Sequence, residues 1–270
     1  MATVRRPLAS IVPVLLVPAL LAASLAACAP PASDPGSSPE PSAAAQPPTP
    51  TDTCLGGSSY DSSSVWIDTD AGRFDVGLVG EGYVTAIFVH QLNANACGWF
   101  LYAASLAEQG VRAMLLNLCG SASTECEGGP LTDTGADAVL AAADWARSEG
   151  AQRVVVAGAS IGGTTALLAA VKDADGDALD GVADLSGPVV YDGRDLRGLT
   201  EDIEIPAFLV IAPNDSVAAV SSFEELAAGF PHDDVTLITD ANGHGWDTLN
   251  GPGGEPGQTI GEQLAAFILG

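Results

Sequence analysis

Residues 153–171 read R-V-V-V-A-G-A-S-I-G-G-T-T-A-L-L-A-A-V. A β-branched run leads into Gly158-Ala159-Ser160-Ile161-Gly162, and an Ala/Leu-rich stretch of helical composition follows from Ile161. The string predicts a strand, a sharp turn and a helix, in that order. Glycines on both sides of Ser160 suit a strained turn whose flanks approach too closely for a Cβ, and such a turn exposes the serine Oγ at the edge of a sheet. It also sets the Ile161 N–H at a helix N-terminus, where an unpaired donor and the helix dipole stabilise an oxyanion. Chains rich in Ala and Gly make G-x-S-x-G by chance, so the motif draws its meaning from this strand-turn-helix setting.

Outward from this unit, short β-branched runs alternate with helical stretches. Val65–Thr69, Phe74–Val79, Thr85–His90, Val111–Asn117, Arg153–Gly158, Val182–Leu185, Ala207–Ala212 and Val235–Thr239 read as eight strands. Trp99–Glu108, Thr132–Ser148, Ile161–Val171, Ser221–Ala228 and Gly261–Leu269 read as helices. The first two strands lack an intervening helix and are expected to form an antiparallel hairpin. The later alternation implies a mostly parallel α/β sheet with helices on both faces. Ligands of such sheets bind at the carboxyl ends of the strands. The residues there are His90, Gln91 and Leu92; Ser160; Asn214 and Asp215; and Gly243, His244 and Gly245.

A serine nucleophile needs a base, and the chain has three histidines. His232, in F-P-H-D-D, reads as a solvated loop residue, and His90, ending an apolar strand, as a group that organises backbone through hydrogen bonds. His244, between two glycines after the last strand, is the expected base. A base needs a partner that fixes its tautomer and stabilises the imidazolium formed during reaction. Asp215 is the best placed acid, with Asp184, near the end of Val182–Leu185, in reserve and Asp240 a weaker third. Asn214-Asp215-Ser216 is also ordinary turn chemistry. Trp99 and Trp246 flank the site loops and read first as core or rim aromatics; an acyl pocket built from loops would lie beside them. The acidic run Asp173 to Asp180 lacks the terminal Glu of a calcium-binding loop and reads as a solvated loop.

The order Ser160, Asp215, His244 on an eight-strand pattern resembles the α/β-hydrolase superfamily, over residues 60–270, and within it the short, lidless dienelactone-hydrolase and small-esterase branches. The resemblance implies a Ser-His-Asp triad at those positions, no cofactor, and an oxyanion hole built from the Ile161 N–H and a second donor. The usual His-Gly after the third strand is here His90-Gln91. By position the second donor is the Leu92 N–H, with Gln91 as the alternative. Helical caps in this superfamily usually enter between the sixth and seventh strands. Only Ser186–Pro206 lies there, too short for a cap domain.

The N-terminus carries an address. Arg5 and Arg6 precede an apolar run from Leu8 to Ala27, which reads as a secretory signal over residues 1–27. An uncleaved helix is the rival reading, weakened by Pro13 and Pro18. Leu25-Ala26-Ala27-Cys28 resembles the bacterial lipobox, which implies a fatty-acylated Cys28 and attachment to the outer side of the cell membrane. Residues 28–53 are read as a disordered tether, with eight prolines between Ala29 and Thr53; fully extended it reaches roughly 75 Å. The domain is expected to span 54–270. Cys54, Cys97, Cys119 and Cys126 remain, an even number in an exported domain, and argue for two disulfides among three possible pairings. Cys119 with Cys126 would close a loop that has no packing of its own, leaving Cys54 with Cys97. Metal ligation fits poorly, since there is no C-x2-C pair and no neighbouring histidine.

Composition narrows the partners. With 34 acidic and 9 basic residues the formal charge is −25, which excludes sequence-independent nucleic-acid binding and direct adhesion to anionic headgroups. The resulting expectation is a tethered, monomeric serine hydrolase acting on a small or short-acyl ester. The alternatives are a non-catalytic ligand- or envelope-binding lipoprotein on the same fold, and a peptidase or thioesterase using the same three residues.

Overall fold

The structure, a computed structural model, describes residues 45–54, 60–127, 131–173 and 176–270. The signal segment, Cys28 and the tether as far as residue 44 lie outside the described residues. In chain order the strands are β1 (Ser62–Thr69), β2 (Gly72–Val79), β3 (Val84–Val89), β4 (Val111–Leu116), the two-residue β5 (Glu125–Cys126), β6 (Arg153–Ala159), β7 (Gly181–Leu185), a small hairpin of β8 (Val190–Tyr191) and β9 (Arg194–Asp195), β10 (Ala207–Val210) and β11 (Val235–Ile238). The helices are α1 (Pro50–Cys54), α2 (Phe100–Ala107), α3 (Leu131–Ser148), α4 (Ile161–Lys172), α5 (Val220–Ala227) and α6 (Ile260–Leu269).

Eight strands form the main sheet in the order β1-β2-β4-β3-β6-β7-β10-β11, with β5 attached to β2. β2 runs antiparallel to both β1 and β4; from β4 onward every pairing is parallel. The expected hairpin and mostly parallel sheet are therefore both present. Alternation along the strands sorts side chains into two cores. Ile87, Val89, Val154 and Val156 join Ala residues of α3 and α4 and Phe223 and Leu226 of α5 on one face. Phe88, Val155 and Ala157 join Phe100 and Ala103 of α2 and Ile260 and Leu264 of α6 on the other. A sheet covered on both faces buries every residue of β7 and β10, so β10 reads as a continuous apolar run and β7 as one broken by Asp184.

The expected helix at Trp99 begins instead with a 3-10 turn, Ala96–Trp99, because the Asn95 side chain accepts the Cys97 N–H at 3.0 Å and starts the turn early. Between β7 and β10 the chain makes only the β8–β9 hairpin and two 3-10 turns, so no cap covers the sheet edge. Of the acidic run, Asp173 accepts the Ala178 and Leu179 N–H groups, and Asp180 pairs with Arg147 at 2.7 Å; residues 174 and 175 lie outside the described residues.

One boundary moves. The tether was expected to run to residue 53, but the folded unit begins at Ala45. Trp66 Nε1 donates to the Ala45 carbonyl at 2.8 Å, Ser64 Oγ donates to the Pro47 carbonyl, and Pro50 packs over Gly77. Proline-rich composition cannot build a core, yet it can lie on one when covalently fastened, and Cys54 is bonded to Cys97. Cys119 is bonded to Cys126, and both pairings are those expected. Among the described residues no helix is long and apolar enough to cross a membrane.

Because the Cys54–Cys97 bond spans 43 residues and the Cys119–Cys126 bond spans 7, loop-closure entropy assigns them about 4 and about 2 kcal/mol of stability. The double variant Cys54→Ser/Cys97→Ser should therefore lose more stability than Cys119→Ser/Cys126→Ser. Urea titration checks this, and the reverse order would show that the amino-terminal clamp contributes little.

Candidate active site

The candidate residues collect at one sheet edge because β3, β6, β7, β10 and β11 are parallel and all end there. Ser160 occupies the single residue between β6 and α4, with φ 52° and ψ −124°, a backbone conformation that costs an L-residue energy. A Cβ on Gly158 would strike the Gly162 backbone, and one on Gly162 would strike the Val89 carbonyl, so the turn exists only with glycine at both positions. The Ser160 N–H donates to the Leu185 carbonyl at 2.8 Å, tying the turn to β7. Its Oγ makes no capping bond to α4 and so is not spent on the helix. Ile161 is the first residue of α4, and its N–H has no partner one turn earlier within the helix.

His244 and Asp215 are brought together. His244 Nδ1 lies 2.8 Å from Asp215 Oδ2, and the Asp215 side chain is fully shielded from solvent. Asp215 Oδ1 accepts the Val217 and Ala218 N–H groups at 2.8 and 3.1 Å, which fixes the carboxylate plane. Burial pushes this carboxyl up, but His244, the two backbone donors and the nearby Ser186 hydroxyl favour its charged form and hold it below the usual carboxylate value. Gly245, beside His244, packs near Ala159 and the Ser160 backbone. The other candidate acids lie elsewhere: Asp240 accepts the Gly254 N–H at 2.7 Å, and Asp184 makes no bond to His244 but sits buried behind Asp215.

His90 organises backbone, as expected. It is buried, its Nδ1 lies 2.8 Å from the Gln91 carbonyl, and its Nε2 accepts the Leu118 N–H at 3.0 Å. This pattern requires the neutral tautomer with the proton on Nδ1, and burial lowers its proton affinity although the Gln91 carbonyl opposes that. Leu92 follows on an exposed turn, and the Gln91 side chain lies against Gly245. His232 is half-buried against Phe230 and so less solvated than expected.

The two tryptophans separate. Trp99 is fully buried and donates Nε1–H to the Val89 carbonyl at 3.0 Å, so it supports the end of β3. Trp246 stands edge-on to it and lines a surface cleft of about 450 Å³ with Leu101, Tyr102 and Leu249. A second cleft of about 420 Å³ runs between the Leu92 turn and the Cys119 loop. Sequence reasoning gave no role to Asn214 or Asn242, whose side chains bond at 3.1 Å and tie the Asp215 loop to the His244 loop. The signal was their position, one residue before Asp215 and two before His244.

No protein-family model and no curated protein matches the sequence. Solved structures do match. An esterase of Pyrococcus furiosus superposes with a TM-score of 0.59 at 17% identity, over 73% of this chain and 90% of its own. A serine hydrolase without a lid from Xanthomonas campestris gives 0.53 at 19%, over 67% and 84%. A dienelactone hydrolase from Anabaena variabilis gives 0.60 at 16%, over 78% and 97%. The fold is the α/β-hydrolase fold, with a mostly parallel eight-stranded sheet and no cap.

Asp184 supplies a stability test. Burial pushes its carboxyl up to about 8 from 3.8, against the Gly187 N–H, which lowers it, and with Asp215, which raises it further. Between those values the folded chain keeps a proton that the unfolded chain has released, so stability present in acid is lost as the pH rises toward about 8. Asp184→Asn removes that dependence. Its melting temperature relative to wild type should climb from about pH 4 to about pH 8, as differential scanning calorimetry can measure; parallel curves would contradict the buried neutral acid.

Proposed function

We propose that the protein is a serine hydrolase that cleaves a small or short-acyl carboxylic ester through an acyl-enzyme. The observation that carries this reading is the 2.8 Å bond between Asp215 and His244 Nδ1 at the sheet edge where Ser160 holds its strained, positive-φ conformation. Ser160 Oγ attacks the ester carbonyl as His244 Nε2 takes the hydroxyl proton. Asp215 holds the ring in the tautomer with a proton on Nδ1 and stabilises the imidazolium. The oxyanion of the tetrahedral intermediate binds the Ile161 N–H at the start of α4 and, as second donor, the Leu92 N–H. The intermediate collapses as the imidazolium protonates the departing alcohol. Water then attacks the acyl-Ser160 carbonyl, giving a proton to His244, and the imidazolium returns it to Ser160 Oγ as the acid is released.

Substrate size follows from the uncovered edge. With no cap, nothing presents a broad apolar face to a long acyl chain, and each further buried CH2 stabilises binding by about 0.8 kcal/mol only while a short, loop-built pocket lasts. A charge of −25 disfavours anionic esters, an effect that salt screens. The reading includes export and fatty acylation at Cys28, which places the enzyme on the outer side of the membrane with residues 29–44 as spacer. One acyl chain anchors only marginally, so two or more belong to this reading.

Ser160→Ala should leave a folded protein that no longer reacts with a fluorophosphonate probe and retains only a residual rate, on the order of 1,000-fold above water. Rates on p-nitrophenyl esters should peak at short chains with no jump above the micellar concentration. Undiminished turnover in Ser160→Ala would refute the mechanism, and interfacial activation would refute the substrate class. For the anchor, Cys28→Ala should abolish fatty-acid labelling; labelling unchanged in that variant would place the lipid elsewhere.

A further inference from the structure

Asp184 is the anomalous residue of this sheet edge. It interrupts G-V-A-D-L, a strand buried along its whole length, and its own side chain is completely buried. Oδ1 accepts the Gly187 N–H at 2.7 Å, whereas Oδ2, equally buried, has no partner. Two residues on, Ser186 is buried and held at φ 61°, with its hydroxyl near Asp215. An unpartnered oxygen in the interior is costly to leave charged and much less costly as part of a neutral carboxyl.

Beyond the Gly187 N–H, its surroundings offer an anion little. From α4, Gly163 and Thr164 pack against the carboxyl, but both their N–H groups go to the Ser160 carbonyl, at 2.7 and 3.3 Å, and the Thr164 hydroxyl goes to the Pro188 carbonyl. From the flanking strands, Gly158 of β6 and Leu209 of β10 sit beside it in register. From the loop after β10 comes Asp215, already negative and bonded to His244. No lysine, arginine or histidine pairs with Asp184 among the described residues.

Resting on the hydrolase reading above, we propose that Asp184 is a positioning residue that must keep its proton. Neutral, it fills the space between the first turn of α4, which carries Ser160, and the Ser186–Gly187 turn that backs Asp215. Ionised, it puts a second, unpaired negative charge behind Asp215 and beneath the Ser160 turn, and the two carboxylates push the site apart. Release of the proton to solvent is the whole of the chemistry. The consequence is a hydrolase whose rate declines on the alkaline side through a group that touches no substrate.

The test is the pH dependence of kcat/KM on p-nitrophenyl acetate for wild type and Asp184→Asn, which keeps the shape and a donor and cannot ionise. Wild type should fall about tenfold per pH unit above about pH 8, and Asp184→Asn should hold its neutral-pH rate across the same range. A structural role alone would lower the rate at every pH and leave the alkaline limb where it was. An unchanged limb in Asp184→Asn overturns the assignment, as does a folded variant inactive at neutral pH, which would mean the charge is needed. Should the variant not fold, infrared spectroscopy of wild type decides: a carboxylic-acid C=O band at neutral pH should bleach near pH 8 and persist in Asp75→Asn, the control for the other buried carboxyl that burial pushes up. Absence of that band overturns the proposal. No turnover and no probe labelling at any pH would sink the hydrolase reading itself, whereas turnover with an unaltered limb would sink the role of Asp184 alone.

Discussion

The contact on which the remaining geometry depends is the one between β6 and α4, where the Gly158 Cα faces the Gly162 carbonyl with no room for a methyl group. That closeness forces the residue between them to positive φ and swings its side chain out of the sheet. The same packing sets Gly162 against the Val89 carbonyl, so the end of β3 is located by the turn as well. Ser160 N–H to Leu185 carbonyl then adds β7 to the same rigid unit. Three strand ends and one helix start are thus held in mutual position by backbone contacts alone. A site built on such a frame can be open to solvent and still have fixed geometry.

The residues expected to act with Ser160 come from the far side of the sheet, on loops, and need other means of fixation. Asp215 is fixed by its own turn, through the Val217 and Ala218 N–H groups. His244 is fixed by Asp215, and the two loops are joined by Asn214 and Asn242. On the near side, His90 bridges the ends of β3 and β4, and Trp99 braces Val89 from below. Every one of these bonds involves a residue within a few positions of a strand end, as expected where a parallel sheet directs its variable loops to one edge.

Much of this was legible because it is local. The β-branched run before Gly158 and the Ala/Leu run after Ile161 announce their own structures, and His244 stands between glycines that leave little else for it to do. Strand order was not legible: that β4 inserts between β2 and β3 depends on long-range pairing that no periodicity records. The start of the domain is hard to read from composition for a related reason. Composition measures what a segment can bury by itself, whereas residues 45–53 lie on a core built by others and are held there by Cys54. Trp99 and Trp246 have like sequence settings; which one is buried was decided by the end of β3, out of reach of either local pattern.

Asp184 and Asp215 show how far environment outweighs residue type. Both lie close to the carboxyl edge of neighbouring strands, both have buried carboxyl groups, and desolvation pushes both upward. What separates them is the number of donors. Asp215 has His244, two backbone N–H groups and a hydroxyl nearby, enough to outweigh burial and keep it charged. Asp184 has one backbone N–H and a charged neighbour of its own sign, too little to hold a second negative charge. The charge on Asp215 adds to burial in disfavouring a second charge on Asp184, because like charges this deep repel. In a chain so short of Lys and Arg, neutralising the second acid with a proton instead of a cation adds no positive charge near His244, whose readiness to accept a proton the proposed chemistry needs.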